Sequence, residues 1–253
     1  MSNLDKIFLE EDLFPREFVK FEERQYGVLF YDESNKDSYD SNHAVIFKDK
    51  ITDLDAVLDD VVSFYREKGQ NPILYQATAE EGYFAEQEDI FSGHGLCVWE
   101  EELHFMVPVG ENHLVVNPEI TVKQVTQWED TFAFEIFEKA EEPWEAGVAK
   151  RMIENPNTLF LVAYYREQPV GMTYVHVRDG VCRFDYILVS KTHRRIGVAR
   201  TLMSALVEHC KAQKIEHCYL WPADDSAMRM YQQAGFGVAQ VVKAGRAAVE
   251  KPF

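Results

Sequence analysis

Cysteine is scarce, basic residues are outnumbered, and no long apolar run interrupts the 253 residues. The four cysteines, Cys97, Cys182, Cys210 and Cys218, form no CxxC pair and no dense framework. That excludes a disulfide-stapled secreted scaffold and points to reduced thiols in a cytoplasmic protein. His209-Cys210 and His217-Cys218 hint at metal, but their spacing fits no zinc pattern, so no metal site is expected. No apolar stretch approaches the roughly 18–20 residues needed to span a bilayer. The start, MSNLDKIFLEEDLF, is too acidic for a secretory signal. Lys and Arg number 26 against 43 Asp and Glu, a formal net charge of −17. Such a balance disfavours nucleic acid and anionic membranes as partners.

What is present is apolar mass. The chain is 46% hydrophobic and 13% aromatic, enough for one large core or two small ones. Charge divides unevenly: residues 1–120 carry a net −18 and residues 121–253 a net +1. Two parts with different tasks are expected.

The second half reads as alternating strands and helices. ITVKQV (120–125) is strand-like, and TQWE (126–129) fits a capping box opening a helix through FAFEIF. A second helix opens at Pro143 and stops before Asn155-Pro156. TLFLVAYY, PVGMTYVHV and VCRFDYILV follow as strands, with Asp179-Gly180 as a tight hairpin turn. A helix then places Val198, Leu202, Ala205 and His209 on one stripe, with Ala199, Met203, Leu206 and Cys210 beside it. The strand HCYLWP, the helix SAMRMYQQ, the breaker AGFG and a strand near VAQVV complete the unit. The first half repeats part of this order: the helix TDLDAVLDDVVSFYREKG, the strand PILYQA, the helix EEGYFAEQEDIF, the breaker SGHG, and a hairpin of LCVW and LHFMV across the acidic EEE. Gly93 and Gly95 superpose on Gly235 and Gly237 at an offset of 142, which suggests an internal duplication. The stretch 107–118 reads as a linker.

The densest positive charge, HRRIGVAR, sits where the long second-half helix begins. A helix start has unpaired N–H groups and a partial positive charge, so basic residues there oppose the dipole and call for an anionic partner. Gly197 and Ala199 leave the backbone approachable, and Arg194, Arg195 and Arg200 can each bind phosphate oxygens. The physics implies an anion site and does not name the ligand.

Arg194-Arg195-Ile196-Gly197-Val198-Ala199 resembles the (Gln/Arg)-x-x-Gly-x-(Gly/Ala) signature of the GNAT N-acetyltransferases. Tyr186-Ile187-Leu188-Val189 is similar to that family's fourth strand. The run from Asp224 through Ala227, Tyr231 and Gly235-Phe236 resembles its late Asn-x-x-Ala-x-x-x-Tyr-x-x-x-Gly-Phe segment. The resemblance covers roughly residues 119–250. It implies an α/β (α+β) architecture of two GNAT-like domains, each a mixed, mostly antiparallel sheet flanked by helices. A degenerate copy would occupy 1–110 and a catalytic one 119–253, the latter with a splayed parallel strand pair. It implies acetyl transfer from acetyl-CoA to an amine. The pyrophosphate would sit on amides of Arg195, Ile196, Gly197, Val198, Ala199 and Arg200. The pantetheine arm would pair with the backbone of Ile187, Leu188 and Val189. Asp224 stands where the family often has Asn; ionised, it can only accept, which puts its cofactor contact in doubt. Arg195 stands where many members have Gly.

The reaction needs a neutral amine, a donor for the thioester oxygen, such as the Val189 N–H, and an acid for the leaving thiolate. Tyr231 occupies the family's acid position; its alternative is packing under the Gly-Phe turn. Asp185 is the candidate base, since simple alternation would put it on the face of Arg183, Ile187 and Val189; its alternative is pairing with Arg183. His176 is a second candidate base or a core histidine, and His193 a surface residue. At the offset of 142 the first half offers Thr52-Asp53-Leu54-Asp55-Ala56-Val57, with neither Gly nor Arg, and Asp89 in place of Tyr231. That copy should not bind CoA; it could shape the acceptor pocket, mediate homodimer contacts, or only pack. A small-molecule amine is the expected acceptor, with a protein or peptide amine, or CoA binding without turnover, as alternatives.

Overall fold

The computed structural model describes residues 2–36 and 38–250. It divides into two units: Met1–Leu103 with Val241–Phe253, and His104–Gln240. The expected partition was 1–110 and 119–253. The boundaries fall instead within two long strands, because the last strand of the chain adds to the first unit's sheet. No helix among the described residues is long and apolar enough to cross a membrane.

The first unit begins with α1 (Asn3–Leu13), closed by a capping box at Ser2, then β1 (Lys20–Arg24) and β2 (Gly27–Tyr31). After β3 (Ala44–Ile46), helix α2 (Leu54–Glu67) crosses over to β4 (Ile73–Gln76), which pairs parallel to β3. Short helices α3 (Tyr83–Glu86) and α4 (Glu88–Gly93) lead into β5 (Cys97–Pro108). The sheet order is β1-β2-β3-β4-β11-β5. Leu58, Val61 and Tyr65 of α2 meet Leu29, Ile46 and Leu74 of the sheet and Phe84 and Phe91 of the short helices. Each such side chain contributes about 1.5–3 kcal/mol on burial.

The hairpin expected at Glu100–Glu102 is absent: β5 runs unbroken. Residues 100–102 include no turn residue and no positive φ, and as an edge strand β5 tolerates charge. Trp99 is buried and donates to Glu101 Oε1 at 3.1 Å, while Arg246 of the neighbouring strand reaches Glu101 at 3.4 Å.

The second unit holds β6 (Ile120–Gln124), then a helix that starts as α5 (Asp130–Phe132) and widens into π geometry over Ala133–Glu138. The Thr126 capping box does not form; residues 126–129 are irregular, and the helix opens at Asp130 without a side-chain cap. Next come α6 (Glu145–Glu154), β7 (Thr158–Tyr165), β8 (Gln168–Arg178) and β9 (Val181–Val189). Asp179 and Gly180 both take positive φ, the turn a two-residue hairpin requires. Then α7 (Val198–Ala212), β10 (His217–Tyr219), α8 (Asp225–Gln233) and β11 (Phe236–Ala248) follow. The sheet order is β10-β9-β8-β7-β6, with β10 parallel to β9 and the other pairs antiparallel. Leu202, Met203 and Leu206 of α7 pack on Val175, Cys182 and Phe184.

The stretch read as a linker is fastened within this unit. Val109 and Gly110 N–H donate to Gly235 C=O at 2.8 and 3.0 Å, and Asn112 reaches Ser204 Oγ at 2.9 Å. Gly235 has φ 94°, and a Cβ there would lie 2.6 Å from Gly110 O, so only glycine fits.

The two units share one motif. Strand, helix and parallel strand recur as β3-α2-β4 and β9-α7-β10. Shifted by 142, α2 would begin at 196, against 198 for α7.

In the first unit Asp12 is buried and accepts from Thr78 N–H at 2.9 Å and Thr78 Oγ1 at 2.6 Å. Burial pushes its carboxyl up to about 7, against 3.8 for a free Asp. The folded chain therefore holds this proton where the unfolded chain has lost it. Its contribution to stability declines as pH rises from about 4 to about 7. Urea midpoints at pH 5 and pH 7.5 should show Asp12→Asn with a smaller loss of stability across that interval than the unmodified chain.

Candidate active site

The start of α7 is built on two left-handed residues. Gly197 has φ 95°, and Arg195 has φ 70°, a conformation that costs a side-chain-bearing residue roughly 1–2 kcal/mol. The cost is met by Asn117, in the stretch read as a linker. Its Nδ2 donates to Ile196 C=O at 2.8 Å, and its N–H donates to Thr201 Oγ1 at 3.2 Å. Thr201 Oγ1 in turn donates to Gly197 C=O at 3.0 Å, and a Cβ on Gly197 would press Asn117 Cβ at 3.3 Å. Helical hydrogen bonding begins at Thr201 N–H to Gly197 C=O, 3.0 Å. The amides of residues 195–200 precede that bond and find no acceptor among the described residues. Arg194, Arg195, Ile196 and Arg200 are exposed around them. The result is a run of unpaired N–H donors under a partial positive charge, an arrangement that suits an anion.

An open strand edge leads to this helix start. Among the described residues, β10 pairs with β9 only at Val181, Cys182 and Arg183, and from Phe184 to Val189 β9 is paired with β8 alone. Ser190 N–H donates to Val170 C=O at 3.0 Å, toward β8. Backbone groups alternate sides along a strand, so Val189 and Ile187 present theirs to the open edge. Leu188, expected there too, turns its amide and carbonyl toward β8, its register partner being Met172. Arg194 Nε donates to Val189 C=O at 3.3 Å, tying edge to helix start.

Residues 122–236 match the model of the Acetyltransferase (GNAT) family. This stretch is a GNAT domain. Solved structures similar to the whole chain include a GCN5-related N-acetyltransferase from Kribbella flavida (14% identity, TM-score 0.69, 98% of this chain and 95% of that one). A functionally unknown conserved protein from Staphylococcus epidermidis aligns at 13% identity and TM-score 0.60, over 96% and 98% of the two chains. A tandem GNAT protein from the clavulanic acid biosynthesis pathway aligns at 12% identity and TM-score 0.54, over 78% and 70%. These likenesses concern the fold. No curated protein sequence matches. The chain carries an acyltransferase domain, in the mixed α/β architecture expected of it.

Within the GNAT domain, Asp185 is not where alternation put it. The register shifts by one residue between Tyr174–Tyr186 and Val175–Phe184, leaving Asp185 as the bulged residue. Phe184, Ile187 and Val189 all pack toward the core beneath α7. Asp185 instead shares the other face with Arg183, to which it is ion-paired, and lies 3.7 Å from His176 Nε2. His176 is fully buried, and its Nδ1 is 3.3 Å from Thr158 Oγ1. The pairing with Arg183 is thus realised, and His176 is a core histidine. Asp185 keeps some solvent contact, its side chain being 14% exposed.

Tyr231 is largely buried on the core cluster, and its hydroxyl has no hydrogen-bond partner among the described residues. Burial, followed by the negative charge of Asp224, raises the phenol above its ordinary value, so it stays protonated at neutral pH. His193 is half-buried, its Nδ1 near Ser190 Oγ and Thr192 Oγ1. The roles of two side chains escaped the sequence reading. Tyr186 OH donates to Glu142, in the turn before α6, and Asn117 clamps the start of α7. Burial and then Glu142 and Glu145 hold Tyr186 protonated. Exposed Phe134 lies in the helix that precedes this region, and exposed Trp144 stands immediately before α6.

Asp224 serves as a helix cap: its Oδ1 accepts from Ala227 N–H at 2.7 Å. Asp224→Ala should lower stability by about 1 kcal/mol in a denaturant titration, whereas Asp224→Asn, also a good cap, should stay within a few tenths.

Proposed function

We propose that the chain transfers an acetyl group from acetyl-CoA to the primary amine of a small molecule. The observation that carries this reading is the meeting of the unpaired amides 195–200 with the open edge at Ile187 and Val189. The amides, with Arg194, Arg195 and Arg200, suit a pyrophosphate, and Ile187 and Val189 offer strand-like partners to the pantetheine amides. When bound, acetyl-CoA supplies an activated thioester carbonyl. Val189 N–H, free on the open edge, is the proposed donor to the oxygen that gains charge there. Tyr231, held protonated, is the proposed acid for the departing sulfur, and Asp185 the proposed acceptor of the amine's proton. Its ion pair with Arg183 anchors it at the bulge.

The acceptor side supports a small cationic amine. Glu142 and Glu145 both bear on Tyr186, and Trp144 is exposed nearby in sequence. Carboxylates and an exposed indole suit an ammonium group before it is deprotonated. The first unit is proposed as a degenerate GNAT-like copy. Asp53 caps α2 with its own carboxylate, accepting from Ala56 N–H at 3.2 Å. The helix start that would hold phosphate is therefore already filled by an anion.

Thiol release measured over a panel of amines, beside calorimetry with CoA, tests the assignment. Arg194→Ala should weaken CoA binding about tenfold to a hundredfold, the worth of a charge-assisted hydrogen bond. Gly197→Glu should weaken it further; unchanged affinity in both would dismiss the pyrophosphate site. Turnover confined to peptides would redirect the acceptor assignment, and CoA binding without any turnover would argue for a module.

Tyr231→Phe should cut kcat by about a hundredfold or more with CoA affinity nearly kept. The alkaline limb of the pH–rate profile should fall to lower pH in Asp224→Asn, which keeps the cap but removes the charge that raises Tyr231. Equal loss of binding and rate in Tyr231→Phe would mean that the ring only packs.

A further inference from the structure

Cys182, Cys210 and Cys218 are dispersed in sequence, yet their sulfurs all lie within 4.8 Å of one another, and Cys182 and Cys210 are 3.8 Å apart. They come from three elements: β9, the last turn of α7, and β10. All three are buried, and among the described residues no imidazole or carboxylate joins the group. Cys97, the fourth cysteine, is exposed and elsewhere.

The spacing matters. The centre of an equilateral triangle of side 3.8 Å is about 2.2 Å from each corner, and a metal–thiolate bond of the zinc type is about 2.3 Å. One pair is already at that separation, and since no pair exceeds 4.8 Å, a contraction of at most about 1 Å brings the third sulfur to it. The donor set is sulfur only, with apolar Leu206, Val207 and Phe184 in the same core cluster. Zinc seeks a fourth ligand that this group does not offer, whereas soft ions accept thiolates alone.

We propose that Cys182, Cys210 and Cys218 form a three-sulfur site for one soft, thiol-seeking metal ion of the copper(I) class. On binding, each sulfur forms a bond to the ion and its proton passes to solvent; no electron is transferred. The site lies at the closed foot of the strand splay, since Cys182 and Cys218 are register partners in the short β9–β10 pairing. Metal there fastens the helix that carries the unpaired amides to both strands of the splay.

The test is an anaerobic titration of reduced, metal-free protein with copper(I) against a chromophoric copper(I) chelator, followed by X-ray absorption on the loaded chain. One equivalent should bind, with a shell of three sulfurs, and should raise Tm. Cys182→Ser, Cys210→Ser and Cys218→Ser should each weaken binding at least tenfold, and Cys97→Ser should leave it unchanged. Failure to compete with the chelator, a shell of two sulfurs, or loss of binding in Cys97→Ser would overturn the proposal. The absorption measurement uses the unmodified chain, so it decides the matter even if a serine variant fails to fold.

Discussion

The site exists because β9 and β10 stop pairing after three residues. A parallel pair that continued would satisfy the backbone of Phe184 to Val189 and leave no edge. Instead, the bulge at Asp185 adds a residue to β9 opposite β8, which increases local twist and turns the strand. Beyond it, Ile187 and Val189 carry backbone groups with no strand opposite. Such an edge invites pairing with any extended chain. Here it lies beside a helix start whose amides are likewise unpaired, and the two together define what can bind.

The same bulge decides which side chains share a face. Without it, Asp185 would point with Ile187 and Val189 beneath α7, an apolar setting that a carboxylate could enter only at high cost. The extra residue returns Ile187 and Val189 to the core and sends Asp185 to Arg183 and His176. One insertion thus keeps an acidic side chain on the face where Tyr186 meets Glu142.

What the sequence disclosed follows from how local each signal is. β7, β8, β9 and α7 rest on periodicity and on turn residues such as Asp179-Gly180, which act within a few positions. The bulge left no trace, because a register shift is a relation between two strands. Asn117 was hidden for the same reason: its role depends on Ile196 and Thr201, some eighty residues on. The false hairpin at Glu100–Glu102 arose from treating charge as a turn signal, when charge alone is what an edge strand carries. The Thr126 capping box failed because its spacing is a weak motif without the helix behind it, which opens at Asp130.

The two crossovers show how little separates an open helix start from a closed one. Both run strand, helix, parallel strand, and both expose first-turn amides to whatever stands before them. At α2 the preceding residue is Asp53, whose carboxylate folds back on Ala56 N–H and neutralises the positive end from within. At α7 it is Gly197, which has no side chain to do so, and the arginines around it add charge rather than cancel it. A helix start can be satisfied by its own cap or by a ligand, but not by both at once. If the first unit descends from the same ancestor, acquiring an acidic cap was enough to retire it from anion binding while leaving α2 better stabilised. The second unit kept its amides unsatisfied and fixed the strained turn by other means, through Asn117 and Thr201. Those contacts grip the carbonyls of Ile196 and Gly197 and leave the N–H groups free, which is the arrangement a site for an incoming anion requires.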